Sequence, residues 1–444
     1  MDATKTISEN SACRAQASKT VASNYRKTLF AGAIGNGLEF YDFAVYGLFA
    51  TYIAKVFFPM QSEFMGLLLA IATFGVGFLA RPLGALMIGA YADRAGRKAA
   101  LRLTILLMGF GTVMIGSLPG YATLGIWAPI LLVVARLLQG FSAGGEVGAA
   151  VSIMMEAAPA NKKGAAVSWQ IASQPIALMA SGLIGFLLAQ SMSAEDLASW
   201  GWRIPFFIGV AIIPVGMYIR KHLDETVEEV DVHASNKEVM AELASTYKMP
   251  IFLTTVIIAG IAINQYFFSY MTTYAISTLK LPPSVAMLAP VLLGATGAVF
   301  AVCGGRIADR FGRRAVNVIP RLLLIVVAYP AFAYATASKS EVIFFATIMG
   351  MVALNLMSYG TAALVAADSF PKKVRASAYS LGYALGVTIF GGSAQVIFTA
   401  MIHYTGNPNS PVIYLMIGNA MTIIAVLAVL RKKRRAEALV AANG

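Results

Sequence analysis

Cysteine and histidine are scarce: the 444 residues include only Cys13 and Cys303, and His222, His233 and His403 stand without metal-ligand spacing. That argues against a disulfide framework or a His/Cys metal site, and no cofactor is implied. Charge is also sparse. Asp, Glu, Lys and Arg make up 12% of the chain, against about 25% in ordinary soluble domains. No G-x-x-x-x-G-K-[ST] or H-E-x-x-H is present, so nothing points to an ATP site or a metalloprotease. The reading is of a chain that is not an enzyme, and any uphill movement would draw on an ion gradient. Residues 1–27 lack the apolar run and small-residue cleavage site of a signal peptide and read as a retained tail.

What is abundant is apolar sequence, 58% of the chain. Windows of about 19 residues give segments long enough to cross a hydrocarbon core about 30 Å thick. There are twelve, at 28–54, 64–91, 99–119, 125–155, 165–191, 203–220, 250–277, 285–308, 315–336, 341–368, 376–402 and 411–430. Helices close all their backbone hydrogen bonds internally, so continuous runs of this length predict an all-α membrane protein.

The net charge of +13 raises the possibility of nucleic-acid binding. The placement of the cations argues against it. If the N-terminus is cytoplasmic, 27 of the 34 Lys and Arg fall on inside segments, ending in "RKKRR". Outside loops hold only Lys55, Arg203, Lys280 and Lys339, and the spans hold Arg81, Arg136 and Arg321. This alternation is the positive-inside signal of a multi-pass plasma-membrane protein with both termini cytoplasmic, and in a bacterium that is the inner membrane.

The polar stretch 221–249 divides the spans into 28–220 and 250–430, with tails at 1–27 and 431–444. The halves echo each other. "GAYADRAGRKAAL" (89–101) returns as "GGRIADRFGRRAV" (304–316), about 216 residues later, and "MEAAPANKKGAAVSW" (155–169) returns as "ADSFPKKVRASAYSL" (367–381). Two six-helix halves in parallel repeat are the plan of the major facilitator fold, with a site near the midplane at their interface.

"GAYADRAGRK" resembles the cytoplasmic loop signature of the major facilitator superfamily. That resemblance implies a conformational latch at Asp93, Arg94, Gly96 and Arg97 and, in the second copy, Asp309, Arg310, Gly312 and Arg313. A glycine allows the tight turn, and the acid can pair with cations or with the positive end of a neighbouring helix. "GNGLEFYDFAVYG", "ARLLQGFSAGGEVG" and "WGWRIPFFIG" look like the metabolite:proton symporter family across the whole chain. "TYIAKVFFPMQSEF" and "HYTGNPNSP" are similar to its citrate and tricarballylate branch. Span seven, "NQYFFSYMTTY", and Pro175 depart from that branch.

The resemblance implies a secondary symporter that takes up an organic anion, a tricarboxylate such as citrate first, with protons as coupling ion and sodium as the alternative. The alternatives are a dicarboxylate or related metabolite (2-oxoglutarate, shikimate, a betaine-like zwitterion) or a non-transporting sensor. The expected partners are the small anion, protons and the lipid bilayer, with no nucleic acid and a monomeric state.

Glu39 and Asp42 stand inside the first apolar run, where a carboxylate costs a few kcal/mol and marks a functional path. By i, i+3, i+4 spacing Asn36, Glu39, Asp42, Phe43 and Tyr46 share one helix face, which is expected to line the cavity. Arg136 lies roughly nine residues, about 14 Å, inside span four, where its planar fork can hold a carboxylate of Glu39, Asp42 or the substrate. Competition among those acids would couple proton to substrate, with Asp42 the first proton carrier, Glu39 the second and Glu146 the third. Arg81 divides between a cavity role and a structural pair with Glu146 or Asp93, and Arg321 is expected to snorkel to the inner surface. Gln170, Gln174, Asn264, Tyr270, Asn355, Tyr359 and Tyr383 complete the substrate candidates, with Gln265 and Tyr379 as further polar residues in spans. Interhelical hydrogen bonding is the competing account of all of them. Gly140, Gly144 and Gly148 recur every fourth residue and predict close helix packing.

Overall fold

The computed structural model describes Ala33 and residues 36–60, 62–95, 97–144, 163–221 and 245–443. The described residues are helical, with no strand. In chain order the main helices are α1 (36–48, continued as Ala50–Phe57), α2 (Glu63–Leu79, continued as Arg81–Ala95), α3 (Arg97–Ser117) and α4 (Trp127–Ala143). Next come α5 (Lys163–Ser191), α6 (Ile204–Lys221), α7 (Lys248–Ser277) and α8 (Leu288–Phe311). Last are α9 (Arg313–Ala337), α10 (Glu341–Ala367), α11 (Lys372–Gly386, a π turn at Val387–Gly391, then Gly392–Thr405) and α12 (Pro411–Asn443).

Eight helices among the described residues are long and apolar enough to cross a membrane, and Arg102–Ser117 and Trp127–Ala143 are shorter apolar helices. The protein is a multi-pass membrane protein. Where helices begin at the surface, the sequence supplies a cap. Ser62 accepts from Met65 N at 3.4 Å with Glu63 following, and Ser340 accepts from Ile343 N at 3.5 Å with Glu341 following. An oxygen and an acid at these ends satisfy free N–H groups and oppose the helix dipole. Between α8 and α9 the chain reverses at Gly312, whose φ of +90° suits a residue without Cβ.

Within the first half, α2 and α4 cross almost backbone to backbone. A Cβ on Gly140 would strike the Gly77 carbonyl and one on Gly144 the Arg81 carbonyl. The four-residue glycine spacing thus gives close packing at Gly140 and Gly144, while Gly148 lies outside the described residues.

The halves meet along two seams. In one, α5 runs against α8, with Gly294 and Gly297 seated on Pro175 and Gly305 on Gly164. Pro175 lies inside α5, where its missing N–H loosens the helix at the level of the central cavity. In the other seam α11 crosses α2 at its π turn. Thr388 Oγ1 donates to Phe78 O at 2.8 Å, and Gly75 abuts the backbone of Gly392. Farther along this seam the ring of Phe64, at the start of α2, stacks on His403, near the end of α11, with centroids 3.7 Å apart.

Candidate transport site

A small central cavity of about 60 Å³ lies between the halves. Its polar lining is Gln174, Gln265, Ser269, Thr272, Tyr359 and Gln395, and its aromatic wall includes Phe40, Phe43, Phe74 and Tyr266. Tyr359 Oη stands 3.0 Å from Gln265 Oε1 and 3.4 Å from Gln174 Oε1, so its single proton serves one of the two at a time. Gln395 Nε2 is buried with no hydrogen-bond partner among the described residues and is a donor available to an acceptor in the cavity.

Of the sequence-based substrate candidates, Gln174 and Tyr359 line this cavity. Gln265, also singled out in the sequence, joins them, and Gln395 is new. A lone glutamine in "GGSAQVIF" was its only sequence signal. The expected cavity face of α1 turns out to be offset: Phe40, Phe43, Ala44, Gly47 and Leu48 face the cavity, and Asn36, Glu39, Asp42 and Tyr46 face their own half. Asn36 Nδ2 reaches Gln170 O at 3.1 Å and Ser173 Oγ at 2.8 Å on α5, and Tyr46 Oη donates to Ala70 O on α2. Gln170 is buried beside them, its Oε1 without a hydrogen-bond partner among the described residues.

Behind the aromatic wall lie two buried cations. Arg81 pairs with Glu39 at 3.3 Å. Of its two expected partners, the side chain of Asp93 and all of Glu146 lie outside the described residues. Among the described residues Arg136, fully buried, makes no direct hydrogen bond to a carboxylate. Its Nη1 donates to Gln139 Oε1 at 2.7 Å and its Nη2 approaches Phe74 O at 3.4 Å. Both guanidinium groups rest on the ring of Phe43, Arg81 at 4.9 Å and Arg136 at 5.0 Å from its centroid. Tyr46 at 4.5 Å and Phe74 at 4.9 Å complete the cage around Arg136. A desolvated cation over an aromatic face recovers about 2 kcal/mol, which helps hold these charges where water is excluded.

Asp42 is 5% exposed and accepts from Thr112 Oγ1 at 2.7 Å. Thr112 in turn accepts from Gln139 Nε2 at 2.9 Å. From the second half Tyr266 packs on Phe74 and Phe78, and Tyr383 stands close enough to interact electrostatically with Arg81 and Glu39.

Other candidates sit elsewhere. Tyr270 is bonded to Thr399 within the second half, Asn355 is buried on α10, and the ring of Tyr379 packs tilted against that of Tyr383. Arg321 overturns its snorkelling expectation. It is fully buried, and its Nη1 donates to Asn419 Oδ1 at 3.0 Å. Asn419 Nδ2 then donates to Asn264 Oδ1 at 2.6 Å, so Asn264 serves a network among α7, α9 and α12. The reason is geometric: α9 begins at Arg313, so Arg321 is two turns inside the bundle rather than at its edge.

Of the latch residues, Asp309 accepts from Gly164 N and Ala165 N, each at 3.0 Å, and so caps the start of α5 across the seam between halves. Arg313 instead joins Asp368 at 2.6 Å within its own half, and Lys433 reaches the same oxygen at 3.2 Å. Arg310 stacks over the neighbouring Phe311 ring. The side chains of Asp93, Arg94 and Arg97, and all of Gly96, lie outside the described residues.

The profile of the Major Facilitator Superfamily matches residues 32–394. The chain belongs to that superfamily. It is therefore a membrane transporter rather than an enzyme, built as two six-helix halves around the central cavity. It is 38% identical over 386 residues to the citrate-proton symporter of Klebsiella pneumoniae, covering 85% of each chain. It is 34% identical over 409 residues to the shikimate transporter of Escherichia coli K12, covering 90% of this chain and 92% of the other. Among solved structures, the partially occluded inward-open xylose transporter from E. coli superposes with a TM-score of 0.70 at 16% identity, over 92% of this chain and 98% of the other. At that identity the likeness speaks for the fold.

Proposed function

We propose that the chain takes up an organic anion with protons by alternating access, with citrate the first substrate to test. The observation that carries this reading is the pair of buried guanidinium groups one aromatic layer behind the central cavity, with Asp42 linked to one of them. An apolar compartment keeps two cations only for a strong purpose, and a planar fork matches a carboxylate. The 38% identity to a citrate-proton symporter supports the same class.

In this reading Phe43 and Phe74 withdraw as substrate enters, and Arg136 exchanges its ring and amide contacts for a substrate carboxylate. Asp42 carries the proton, ahead of Glu39, which is already engaged with Arg81. The Asp309 cap on α5 is the latch of one closed side, broken when the halves rock. The basic loops and "RKKRR" face the cytoplasm, the membrane is the bacterial inner membrane, and the unit is a monomer organised as 28–220 and 250–430 around the linker 221–249.

A second reading has its own support. The amide and hydroxyl lining of the cavity itself, with no charged side chain, favours an acid with fewer charges and more hydroxyl or keto oxygens, such as a dicarboxylate or a hydroxylated monocarboxylate. Vesicles containing the purified protein, given labelled citrate, dicarboxylates and shikimate under an imposed proton or sodium gradient, separate the two. Accumulation of citrate driven by protons supports the first reading. Uptake of a sugar or a cation with none of these acids overturns both.

A further inference from the structure

We infer that Thr112 and Gln139 form a neutral hydrogen-bonded bridge through which the protonation of Asp42 controls the hold on Arg136. The inference rests on the proposed role of Asp42 as proton carrier and adds two positioning residues to it.

The bridge is continuous and buried. Arg136 Nη1 donates to Gln139 Oε1 (2.7 Å), Gln139 Nε2 donates to Thr112 Oγ1 (2.9 Å), and Thr112 Oγ1 lies 2.7 Å from Asp42 Oδ2. Thr112, Gln139 and Arg136 are all fully buried. Every donor along this path points from the cation toward the carboxylate, so each bond polarises the next.

Thr112 is the element that can reverse. A hydroxyl has one proton and two acceptor sites, yet two acceptors stand within its reach: Asp42 Oδ2 at 2.7 Å and the Met108 carbonyl at 2.9 Å. With Asp42 ionised, the hydroxyl proton goes to the carboxylate. When Asp42 binds a proton, the new carboxyl O–H donates to Thr112 Oγ1, and the hydroxyl proton turns to Met108 O. Thr112 then accepts from Asp42 and Gln139 together and donates once, with every site filled. No atom is gained beyond the proton itself. The donor chain no longer runs unbroken from Arg136 to a negative charge, so Gln139 loses part of its polarisation and releases the guanidinium more readily to a substrate carboxylate.

Among the described residues, those facing Asp42 are Tyr41 beside it on α1, Thr112 on α3 and Arg136 on α4, while α6 presents Gly209, where a Cβ would come within 2.7 Å of Asp42 Oδ1. Glu39 and Arg81 lie across the Phe43 ring, engaged with each other. A threonine bonded to its own i−4 carbonyl is common in membrane helices and by itself structural. Here the same hydroxyl also touches an acid and an amide from two other elements, which packing alone does not require.

The test uses the purified full chain and needs no substrate. Infrared difference spectra over a pH series follow the carboxyl C=O band that Asp42→Asn removes. Thr112→Val, which keeps shape and deletes the hydroxyl, is expected to move the midpoint of that band by about one pH unit, the worth of one hydrogen bond to a charged group. Thr112→Ser restores it, and Gln139→Leu shifts it in the presence of an intact Thr112. In vesicles that accumulate labelled citrate, Thr112→Val and Gln139→Leu shift the pH profile of accumulation while downhill exchange persists. A wild-type midpoint in both Thr112→Val and Gln139→Leu overturns the bridge. If Thr112→Val does not fold, Thr112→Ala takes its place in the same titration. Failure of the underlying reading looks different: Asp42→Asn then removes no band and keeps proton-driven accumulation.

Discussion

Glu39 on α1 and Arg81 on α2 form an ion pair at 3.3 Å with side chains 4% and 2% exposed. Charges this deep are costly unless matched, and removing one partner leaves the other uncompensated, at about 3–5 kcal/mol. Glu39→Gln is therefore expected to lower the unfolding temperature in detergent sharply. The double variant Glu39→Gln with Arg81→Gln should recover much of the loss, since neither charge is then stranded. Additive losses in the double variant would show that the pair is not coupled.

Asp309 holds two backbone N–H groups at the first turn of α5 from the opposite half. Such charge-assisted bonds at a helix N-terminus are worth about 1.5–3 kcal/mol each, enough to tilt a two-state rocking equilibrium by tenfold or more. Asp309→Ala should lengthen the distance between spin labels placed at positions 165 and 310, with a larger open fraction. An unchanged distance distribution removes Asp309 as a latch.

The cluster of Arg313, Asp368 and Lys433 gives a pH signature outside the bundle core. Burial pushes the Asp368 carboxyl up, but the hydrogen bond and charge of Arg313 and the charge of Lys433 outweigh it and hold the group below its ordinary range. A depressed folded-state value means the stabilisation is complete above the unfolded value, about 3.9, and is lost as pH falls through the folded one. Asp368→Asn should lower the unfolding temperature at pH 7, and the gap to wild type should close only below about pH 4. A gap that closes between pH 5 and 7 would refute this assignment.

How far the sequence carried the reading depends on which physical rule decided each feature. The helices follow from apolar length, and close packing at α4 was legible because glycines at every fourth position leave few alternatives to close approach, though its partner α2 was not. Asp42 and Arg136 stood out because charge in an apolar run is rare. Their connection did not, because Thr112 and Gln139 are ordinary residues whose partners depend on how α3 and α4 turn toward α1. The rotation of α1 was missed for a related reason. Asn36, Glu39, Asp42 and Phe43 do share a face, but of these Phe43 alone lines the cavity, beside Phe40 and Ala44 of the adjacent stripe, and spacing alone cannot say which edge of a face points inward. Arg321 was misplaced because its distance from the end of an apolar run was taken for its distance from the membrane surface.

Phe43 offers the most direct test of how the buried cations are kept from substrate. Its ring supports both Arg81 and Arg136, and it also lines the cavity, so one side chain is both their support and their screen. Phe43→Leu keeps an apolar screen of similar bulk but loses two cation–π contacts, about 2 kcal/mol each when desolvated. Its expected effect is lower stability with proton dependence retained. Phe43→Ala opens the wall as well and joins the cavity to Arg136. Citrate binding measured by calorimetry should then depend less on pH, because the guanidinium is within reach before Asp42 is protonated, and vesicles should show faster downhill flux with weaker accumulation. Full proton-driven accumulation and a wild-type pH dependence of binding in Phe43→Ala would mean that the ring is only packing, and that Arg136 is reached by another route.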